Sequence, residues 1–276
     1  MKIAVVGSGY VGLVASSCFA ELGHDVVCID NDEARVAALV RGEVPIHEEF
    51  LPELLARHRG GRLRFSADLG EAVRSSDVVF IAVGTPPGET GEADLSYVEA
   101  VAREVGRHLS GYTVIVEKST VPVYTCEWVR KVVSMNAHAP VEFDVASNPE
   151  FLREGTAVTD FLYPDRIVLG ADNDRSAAVL RQLYEPLTGG AYYRRPTAIP
   201  RPASAREGTP ALVITSSKSA ELIKHASNAF LSMKISFINA VATICEAVGA
   251  DVEQVRKGIG LDSDRKSTRL NSSHRL

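Results

Sequence analysis

The first thirty residues constrain the fold of this chain more than any other stretch. Lys2–Gly7 is a short apolar run, and the glycine-rich segment Gly7–Gly12 follows it without a gap. Small and apolar residues then recur at helical spacing, and a second apolar run, Val26–Ile29, ends in Asp30. The order strand, glycine loop, helix, strand, acid is typical of a dinucleotide-binding domain, because the pyrophosphate lies on the free amides of the helix N-terminus.

Each glycine of this loop has its own physical reason. Gly7 permits a tight turn, Gly9 lets the pyrophosphate approach bare backbone, and Gly12 lets the helix pack closely on the strand. Asp30 can hydrogen-bond a ribose 2′-hydroxyl and would repel a 2′-phosphate, so we expect NAD rather than NADP. The alternative is a plain doubly wound domain with a glycine-rich turn. The full set of expected cofactor contacts is Gly7, Gly9, Tyr10, Val11, Gly12, Asp30, Arg35, Thr85, Thr120 and Glu154.

The composition is that of an ordinary soluble globular protein. Hydrophobic residues make up 45% of the 276 positions and charged residues 24%. The net charge of −5 gives no basic surface for nucleic acid, and four scattered cysteines without CxxC pairing indicate neither a zinc site nor disulfides. Because the N-terminus enters the first strand directly, we expect no signal peptide and a cytoplasmic protein.

Alternating apolar runs and helix-spaced segments predict an α/β fold: a Rossmann-like doubly wound parallel sheet followed by a long central helix. Residues 77–83 form an unbroken apolar run, as expected of a parallel strand covered on both faces. In such sheets, ligands bind beyond the carboxyl ends of the strands. Three segments that follow strands should therefore gather beside the glycine loop: Gly84–Pro87, Lys118–Pro122 and Asn148–Glu154.

The second half of the chain contains a connector and a long helix. Gly189–Pro210 is rich in Pro, Arg, Gly and Ala and is predicted to be an exposed connector. Residues 217–248 carry apolar side chains at helical spacing over ~45 Å, which suits a dimer interface or a link between domains. Charged side chains along this helix argue against a membrane span.

Three regions are predicted on this basis. An NAD-binding Rossmann-like domain occupies residues 1–210, and an incomplete central helical dimerisation region occupies residues 211–265. Residues 266–276 have no apolar period and no turn residues in register. We expect this tail to be non-native, such as translated cloning sequence, with a natural polar tail as the alternative.

Five polar side chains are candidates for catalysis. Thr120 can hold a water or a substrate oxygen, although a helix cap explains it equally well. Glu150 and Glu154 would share one face of a helix and could act as acid, base or water ligand; the alternative is a solvated turn. Lys224 and Asn228 are also four apart. Burial among apolar neighbours would make Lys224 a neutral base or an oxyanion donor, and a charged stripe on a core helix is the alternative.

Longer segments resemble the UDP-glucose/GDP-mannose dehydrogenase family. In order and spacing these are MKIAVVGSGYVGL, VGTP, EKSTVP, SNPEFLREGTAVTDFLYPDRIVLG and SAELIKHASNAFLSMKISFINA. The resemblance covers nearly all of residues 1–265 and is most specific at 147–170 and 219–240. It implies oxidation of the C6 alcohol of UDP-glucose or a related nucleotide sugar to a carboxylate, in two steps with two NAD⁺ and one water, feeding polysaccharide synthesis.

The resemblance also implies a role for each candidate. Thr120 and Glu154 would position the catalytic water, and Glu150 would be the base that helps to hydrolyse a thioester. Lys224 and Asn228 would stabilise the oxyanion at C6. A homodimer through the long helix is implied as well. The implied substrate contacts are Glu150, Phe151, Leu152, Arg153, Lys224, Asn228 and Arg265, the last of these reaching across the dimer.

The sequence departs from the family pattern at the nucleophile. The family's GGxCxPKD motif, which carries a cysteine and a catalytic aspartate, does not occur in these residues, and none of the four cysteines has its context. We expect the family's C-terminal UDP-binding domain to be missing too. We therefore expect a truncated member that binds NAD without completing the oxidation. Two alternatives are a single-step enzyme resembling β-hydroxyacid dehydrogenases and a non-catalytic NAD-binding or dimerisation module.

Overall fold

The structure, a computed structural model, describes residues 1–89 and 91–262. Its strands are β1 (Lys2–Val6), β2 (Asp25–Ile29), β3 (Leu63–Ser66), β4 (Val78–Ile81), β5 (Thr113–Glu117), β6 (Phe143–Ser147), β7 (Arg166–Gly170) and β8 (Ala211–Thr215). Its helices are α1 (Tyr10–Leu22), α2 (Glu33–Arg41), α3 (Leu51–His58), α4 (Leu69–Ser75), α5 (Ser96–His108), α6 (Thr125–Asn136), α7 (Ala157–Leu162), α8 (Asp174–Thr188), α9 (Ser217–Val248) and α10 (Val252–Leu261), with a 3₁₀ turn at Tyr192–Arg194. The predicted tail at 266–276 lies outside the described residues.

The eight described strands form one sheet in the order β3-β2-β1-β4-β5-β6-β7-β8. The first six pair in parallel, which confirms the predicted doubly wound α/β architecture. β7 runs antiparallel to β6 at the pair Ser147–Gly170, and β8 is parallel to β7, so the sheet is mostly parallel. Because β7 starts at the edge where β6 ends, the connection 148–165 begins and ends at the carboxyl edge of the parallel strands.

Helices cover both faces of the sheet, and this explains the unbroken apolar runs. Along β4, Val78 and Phe80 point into a core shared with α1, α3, α7 and α8, while Val79 and Ile81 point into a core shared with α4, α5 and α6. Phe80 lies against Phe19 of α1, with ring centroids 4.9 Å apart. A strand buried on both faces needs apolar residues at every position, so the period of two disappears from its sequence.

The chain divides into two compact units, Met1–His225 and Ala226–Leu276. β8 pairs with β7, so the sheet continues past residue 210, where the sequence predicted a boundary. In the second unit, α9 exposes large apolar side chains, among them Phe230, Met233 and Phe237. By length and hydropathy α9 could cross a membrane, but core helices of soluble proteins share these properties, so they are weak evidence of a span.

Within Gly189–Pro210, residues 189–199 pack into the first unit and are not the exposed connector that the composition predicted, whereas residues 200–210 are largely exposed, as predicted. The Tyr192 side chain is completely buried and Ile199 is 1% exposed. The Ile199 N–H donates to the Tyr192 hydroxyl at 2.9 Å, and Arg195 donates to the Glu21 carbonyl oxygen at 2.9 Å. The predicted exposure fails for residues 189–199 because two large buried side chains, Tyr192 and Ile199, occur among many Pro, Gly and Arg residues.

The Glu21 carboxylate on α1 is the charged centre of this packing. Arg57 Nη1 lies 2.8 and 2.9 Å from its two oxygens and also donates to the Thr197 carbonyl at 2.9 Å. His58 Nε2 lies 2.6 Å from Oε2. Burial raises the pKa of Glu21, but hydrogen bonds from His58 and Arg57 outweigh burial and hold that pKa below its ordinary value.

We expect Glu21→Gln to lower the free energy of unfolding by about 2 kcal/mol at neutral pH, because Arg57 loses its buried carboxylate partner. A carboxyl whose folded pKa is depressed stabilises the protein above its unfolded pKa, and this stabilisation is lost as the pH falls through the folded pKa. Urea unfolding should therefore show the two proteins converging below about pH 4. The control Glu43→Gln, at an exposed pair with Arg41, should match the parent protein. A loss independent of pH would contradict this account.

Candidate active site

The glycine loop has the geometry that dinucleotide binding requires. Gly7 adopts φ +105°, and a Cβ atom there would lie 2.5 Å from a backbone carbonyl oxygen. A Cβ at Gly12 would lie 1.8 Å from the Gly7 carbonyl oxygen, so only glycine lets α1 pack this closely on β1. A Cβ at Gly9 would meet nothing within 4 Å. This open cradle before the amides of Tyr10 and Val11 fits a pyrophosphate at a helix N-terminus.

Asp30 follows β2 and turns its carboxylate toward the glycine loop. Its Oδ2 accepts the Ser8 N–H at 2.9 Å and the Ser8 hydroxyl at 2.6 Å, and its Oδ1 accepts the Asp32 N–H at 3.0 Å. Arg35 Nη1 lies 3.5 Å from Oδ2. Burial raises the pKa of Asp30, but these hydrogen bonds outweigh burial and keep that pKa below its ordinary value. Asp30 is therefore ionised at neutral pH and able to accept a ribose hydroxyl.

The segments that follow β4 and β5 are joined by direct hydrogen bonds. Thr85 donates its hydroxyl to the Thr120 carbonyl oxygen at 2.9 Å. Ser119 donates its hydroxyl to the Val83 carbonyl oxygen at 2.8 Å. The carboxyl ends of these strands therefore meet at one edge of the sheet, and the Thr120 side chain is half-buried there.

The segment that follows β6 is joined to α9 by a buried ion pair. Lys224 Nζ lies 2.6 Å from both the backbone oxygen and Oε1 of Glu150, and the two side chains are 9% and 13% exposed. Glu150 Oε2 accepts the Leu152 N–H at 2.6 Å. The Phe151 ring centroid lies 5.5 Å from Lys224 Nζ and 4.0 Å from the Arg166 guanidinium carbon. Lys224 is thus buried, but its ammonium group faces a carboxylate and a backbone oxygen, and the neighbouring Leu222 is exposed.

Arg153 and Glu154 occupy an irregular stretch. Residues 148–156 are not helical, so Glu150 and Glu154 do not share a helix face as their spacing suggested. Arg153 Nη2 lies 2.6 Å from Asp160 Oδ1, and the Arg153 side chain is 73% exposed. Glu154 is exposed. Their contacts with cofactor and substrate stay predictions.

A second buried lysine, Lys118, lies next to the turn that carries Glu150. Its Nζ is 3.1 Å from Asn148 Oδ1 and 3.4 Å from the Asn148 carbonyl oxygen, and two aromatic ring centroids lie within 6.0 Å. Tyr184 donates its hydroxyl to the same Oδ1 at 2.5 Å. Burial lowers the pKa of Lys118 to about 8; the charge of Glu150 opposes this shift, and that of Lys224 adds to it.

The first turns of α9 also hold the loop between β5 and α6. Glu221, 2% exposed, accepts the N–H groups of Tyr124 and Cys126, each at 2.8 Å. His225 Nε2 lies 2.6 Å from the Val121 carbonyl oxygen. Tyr124 has φ +79° and offers no side-chain cap, so Glu221 satisfies the amides at the start of α6 in its place.

Glu117 is a buried carboxylic acid whose environment favours the protonated form. It ends β5 and is 1% exposed. Its Oε1 accepts the Ser119 N–H at 2.9 Å, while its Oε2 has no hydrogen-bond partner in the described part of the chain. Burial raises the pKa of Glu117 to about 8, and the charge of Glu221 adds to this shift. A neutral Glu117 avoids a second buried carboxylate beside Glu221.

Two predicted site residues are not placed with the others. Asn228 belongs to the second unit, where it is exposed, and Arg265 lies outside the described residues. The cysteines Cys18, Cys28, Cys126 and Cys245 are all buried. Burial raises the pKa of Cys28 to about 12 and the pKa of Cys18 and of Cys126 well above the ordinary range. Residues 1–89 and 91–262 contain no group of three or more His, Cys, Asp or Glu side chains able to hold a metal.

The sequence did not indicate several residues that shape the site. Glu221 lies one helical turn before Lys224, and this spacing is the signal that could have found it. Lys118 stands inside a quoted motif, but its burial depends on side chains from other elements. Glu48 gives no local signal, because its partners Tyr10, Gly155 and Ala157 are 38, 107 and 109 residues away.

The fold and the site together define a class, a Rossmann-type oxidoreductase whose dinucleotide cradle shares a sheet edge with a buried lysine–glutamate pair. Comparison with known families places the chain within that class. The NAD binding domain of the UDP-glucose/GDP-mannose dehydrogenase family matches residues 1–188, and the central domain of the same family matches residues 218–274. The chain belongs to this family, and NAD is its cofactor.

Curated relatives and a solved structure agree with the family. The chain is 47% identical over 263 residues to UDP-glucose 6-dehydrogenase TuaD of Bacillus subtilis and 49% identical over 266 residues to UDP-glucose 6-dehydrogenase of Rhizobium meliloti. These alignments cover 95% of the chain but 52% and 56% of the relatives, so the chain spans about half their length. A UDP-glucose dehydrogenase from Pyrobaculum islandicum is 42% identical with a TM-score of 0.83, covering 94% of this chain and 56% of that one.

We expect Lys118→Met to remove a pH dependence of stability. Because the folded pKa of Lys118 is about 8, its ammonium is charged and costly to bury below that pH. The unfolded chain binds more protons up to the ordinary lysine pKa near 10.4, so the stability of the parent protein rises with pH across this window. Relative to the variant, the parent should gain on the order of 3 kcal/mol between about pH 7 and pH 10.5.

Urea unfolding of both proteins across this pH range measures the difference directly. Lys131→Met, at an exposed lysine of α6, is the matched control and should follow the parent protein at every pH. A difference in the free energy of unfolding between the parent and Lys118→Met that does not change with pH would show that the pKa of Lys118 is not lowered by folding.

Proposed function

We propose that this chain supplies the NAD-binding portion and part of the catalytic set of a cytoplasmic UDP-glucose 6-dehydrogenase. The reaction converts the C6 alcohol of UDP-glucose to the carboxylate of UDP-glucuronate, consuming two NAD⁺ and one water and releasing two NADH and three protons. The product would feed polysaccharide synthesis. The observation that carries the proposal is the buried Lys224–Glu150 pair at the strand edge beside the glycine cradle. NAD held at the glycine loop and Asp30 would supply the acceptor for the hydrides.

The residues have separate roles in this scheme. Lys224 Nζ, held beside Glu150, is a donor for the oxygen at C6, and Asn228 is the second donor. Glu150 accepts a proton when water attacks the acyl intermediate, since its carboxylate is already oriented by Lys224 and by the Leu152 amide. Thr120 and Glu154 position that water. The proposed sugar-nucleotide contacts are Phe151, Leu152, Arg153 and Arg265.

The second oxidation requires a thiol that these 276 residues do not supply. In the thioester route a thiolate would add to the C6 aldehyde, the adduct would be oxidised to a thioester, and hydrolysis by water would release the acid and regenerate the thiol. All four cysteines of this chain are buried, and burial raises the pKa of Cys18, Cys28 and Cys126. A buried, protonated thiol is a poor nucleophile. The chain by itself should therefore bind NAD and stop short of UDP-glucuronate.

In the purified chain we expect NAD binding by calorimetry but no sustained NADH formation from UDP-glucose. In a chimera that joins this chain to the remaining C-terminal half of the Bacillus subtilis relative, two NADH should form per UDP-glucuronate. There, Lys224→Ala should lower kcat by about 10²-fold, because an oxyanion donor is lost. Lys131→Ala, at an exposed lysine of α6, is the matched control. Continued accumulation of UDP-glucuronate by the 276-residue chain would contradict the need for an added thiol.

A single-step β-hydroxyacid dehydrogenase reaction is not favoured. It needs neither Glu150 nor Glu154, and the family match covers the segments that contain them. A non-catalytic NAD-binding or dimerisation role would describe this length of chain if the missing thiol cannot be supplied in trans.

We also propose that a second copy of the chain covers α9 between residues 217 and 248, with neither a membrane nor nucleic acid as partner. The apolar side chains exposed on this helix in the second unit are Phe230, Leu231, Met233, Ile235, Phe237, Ile244 and Val248. Large apolar side chains exposed in this number on one helix indicate an interaction site.

Light scattering after size exclusion should give the mass of two chains. Phe237→Glu, which places a charge on this surface, should shift the protein toward the mass of one chain, and Glu246→Gln is the control. A monomeric parent protein would contradict the proposed pairing.

A further inference from the structure

Glu48 is a buried carboxylate for which the proposed reaction has no use. It lies in the irregular segment between α2 and α3 and is 3% exposed. Its Oε1 accepts the Tyr10 hydroxyl at 2.6 Å and the Gly155 N–H at 2.5 Å, and its Oε2 accepts the Ala157 N–H at 2.9 Å. All three donors are neutral groups, so the carboxylate is held by hydrogen bonds without a cation among these contacts. A buried carboxyl group bonded in this way joins the segments from which its donors come.

The three donors come from two segments that carry different halves of the proposed chemistry. Tyr10 is the first residue of α1, where the amides face the expected pyrophosphate position. Gly155 and Ala157 follow shortly after Glu154, which is expected to hold the catalytic water. Glu48 is thus bonded on one side to the cofactor loop and on the other to the loop of a catalytic carboxylate.

A second contact strengthens this connection. The Tyr10 hydroxyl also lies 2.9 Å from the Arg153 carbonyl oxygen, so its single proton lies between two acceptors. Burial raises the pKa of Tyr10, and its hydrogen bond to Glu48 adds to this shift, so the hydroxyl stays protonated and able to donate. Glu154 is near enough to raise the pKa of Tyr10 as well. Arg153, Glu154 and Gly155 therefore lie around one tyrosine side chain.

We propose that Glu48 is a positioning residue that couples NAD binding at the glycine loop to the order of residues 153–157. The inference rests on the proposed function, because it takes the glycine loop as the NAD site and Glu154 as part of the active site. NAD restrains the first turn of α1, and Tyr10 and Glu48 transmit that restraint to the Gly155 and Ala157 amides. The first ligand to bind then bears the entropic cost of ordering both the glycine loop and residues 153–157. The second ligand binds to segments that are already ordered, so NAD and the sugar nucleotide each increase the affinity for the other.

Two substitutions separate coupling from simple stabilisation. Tyr10→Phe keeps the ring and removes the two hydroxyl contacts of α1, with Glu48 and with the Arg153 carbonyl oxygen, while the Gly155 and Ala157 amides keep Glu48 as their acceptor. Glu48→Gln replaces one acceptor oxygen by an NH₂ group, which cannot accept an amide proton, so the loop itself loses a bond. Glu49→Gln changes the exposed neighbour of Glu48 in the same segment and is the matched control.

Hydrogen exchange followed by mass spectrometry, with and without saturating NAD, measures the coupling on peptides that span residues 151–162. In the parent chain and in Glu49→Gln, NAD should slow exchange of this segment by about fivefold or more. In Tyr10→Phe, exchange without NAD should equal that of the parent, and the slowing by NAD should fall below about twofold. In Glu48→Gln, exchange should be faster without NAD and insensitive to NAD.

The outcomes distinguish this inference from the function on which it rests. Calorimetry reports NAD binding in each protein independently of the exchange of residues 153–157. If NAD binds and slows that exchange equally in the parent and in Tyr10→Phe, or does not slow it in the parent, the coupling is overturned and the NAD site stands. If NAD does not bind the parent chain, both the coupling and the proposed function are overturned. Tyr10→Phe decides the matter even if Glu48→Gln does not fold.

Discussion

The buried ion pair between Lys224 and Glu150 is the interaction on which the rest of the site depends. Burying two charges is costly, and their attraction compensates only when the geometry is good and the remaining polar atoms are bonded. Lys224 bonds both the carboxylate and the backbone oxygen of Glu150, and the other carboxylate oxygen accepts the Leu152 amide. A slip of the start of α9 against the end of β6 would leave a buried charge unpaired, so the pair fixes this register.

The same turns of α9 arrange the neighbouring loop. Glu221, Lys224 and His225 stand at positions i, i+3 and i+4, which lie on one face of a helix. That face closes the amide end of α6, pairs with Glu150 and contacts the Val121 carbonyl oxygen. The first turns of α9 therefore contact the loops that follow β5 and β6. The conformation of these loops depends on side chains that are distant in the sequence.

The contrast between local and distant contacts explains what could be predicted from the sequence. The glycine loop and Asp30 are recognisable because their partners lie within thirty residues of one another. Glu48 and Glu21 are not, because the groups that bury and bond them are brought near only by the folded sheet. The direction of β7 could not be predicted, because a strand buried on both faces shows no feature that depends on its direction. The packing of residues 189–199 was missed because two buried side chains do not change the average composition of the Gly189–Pro210 segment.

The hydrogen bonds of Asp30 have an evolutionary consequence. Its carboxylate accepts both the amide and the hydroxyl of Ser8, whose side chain is buried as well. A substitution that removed the Asp30 carboxylate, and so allowed a ribose 2′-phosphate, would leave the Ser8 N–H and hydroxyl buried without an acceptor. A compensating change at Ser8 would have to come first or together with it. The preference for one cofactor is thus protected by epistasis within the fold, independently of selection on the reaction.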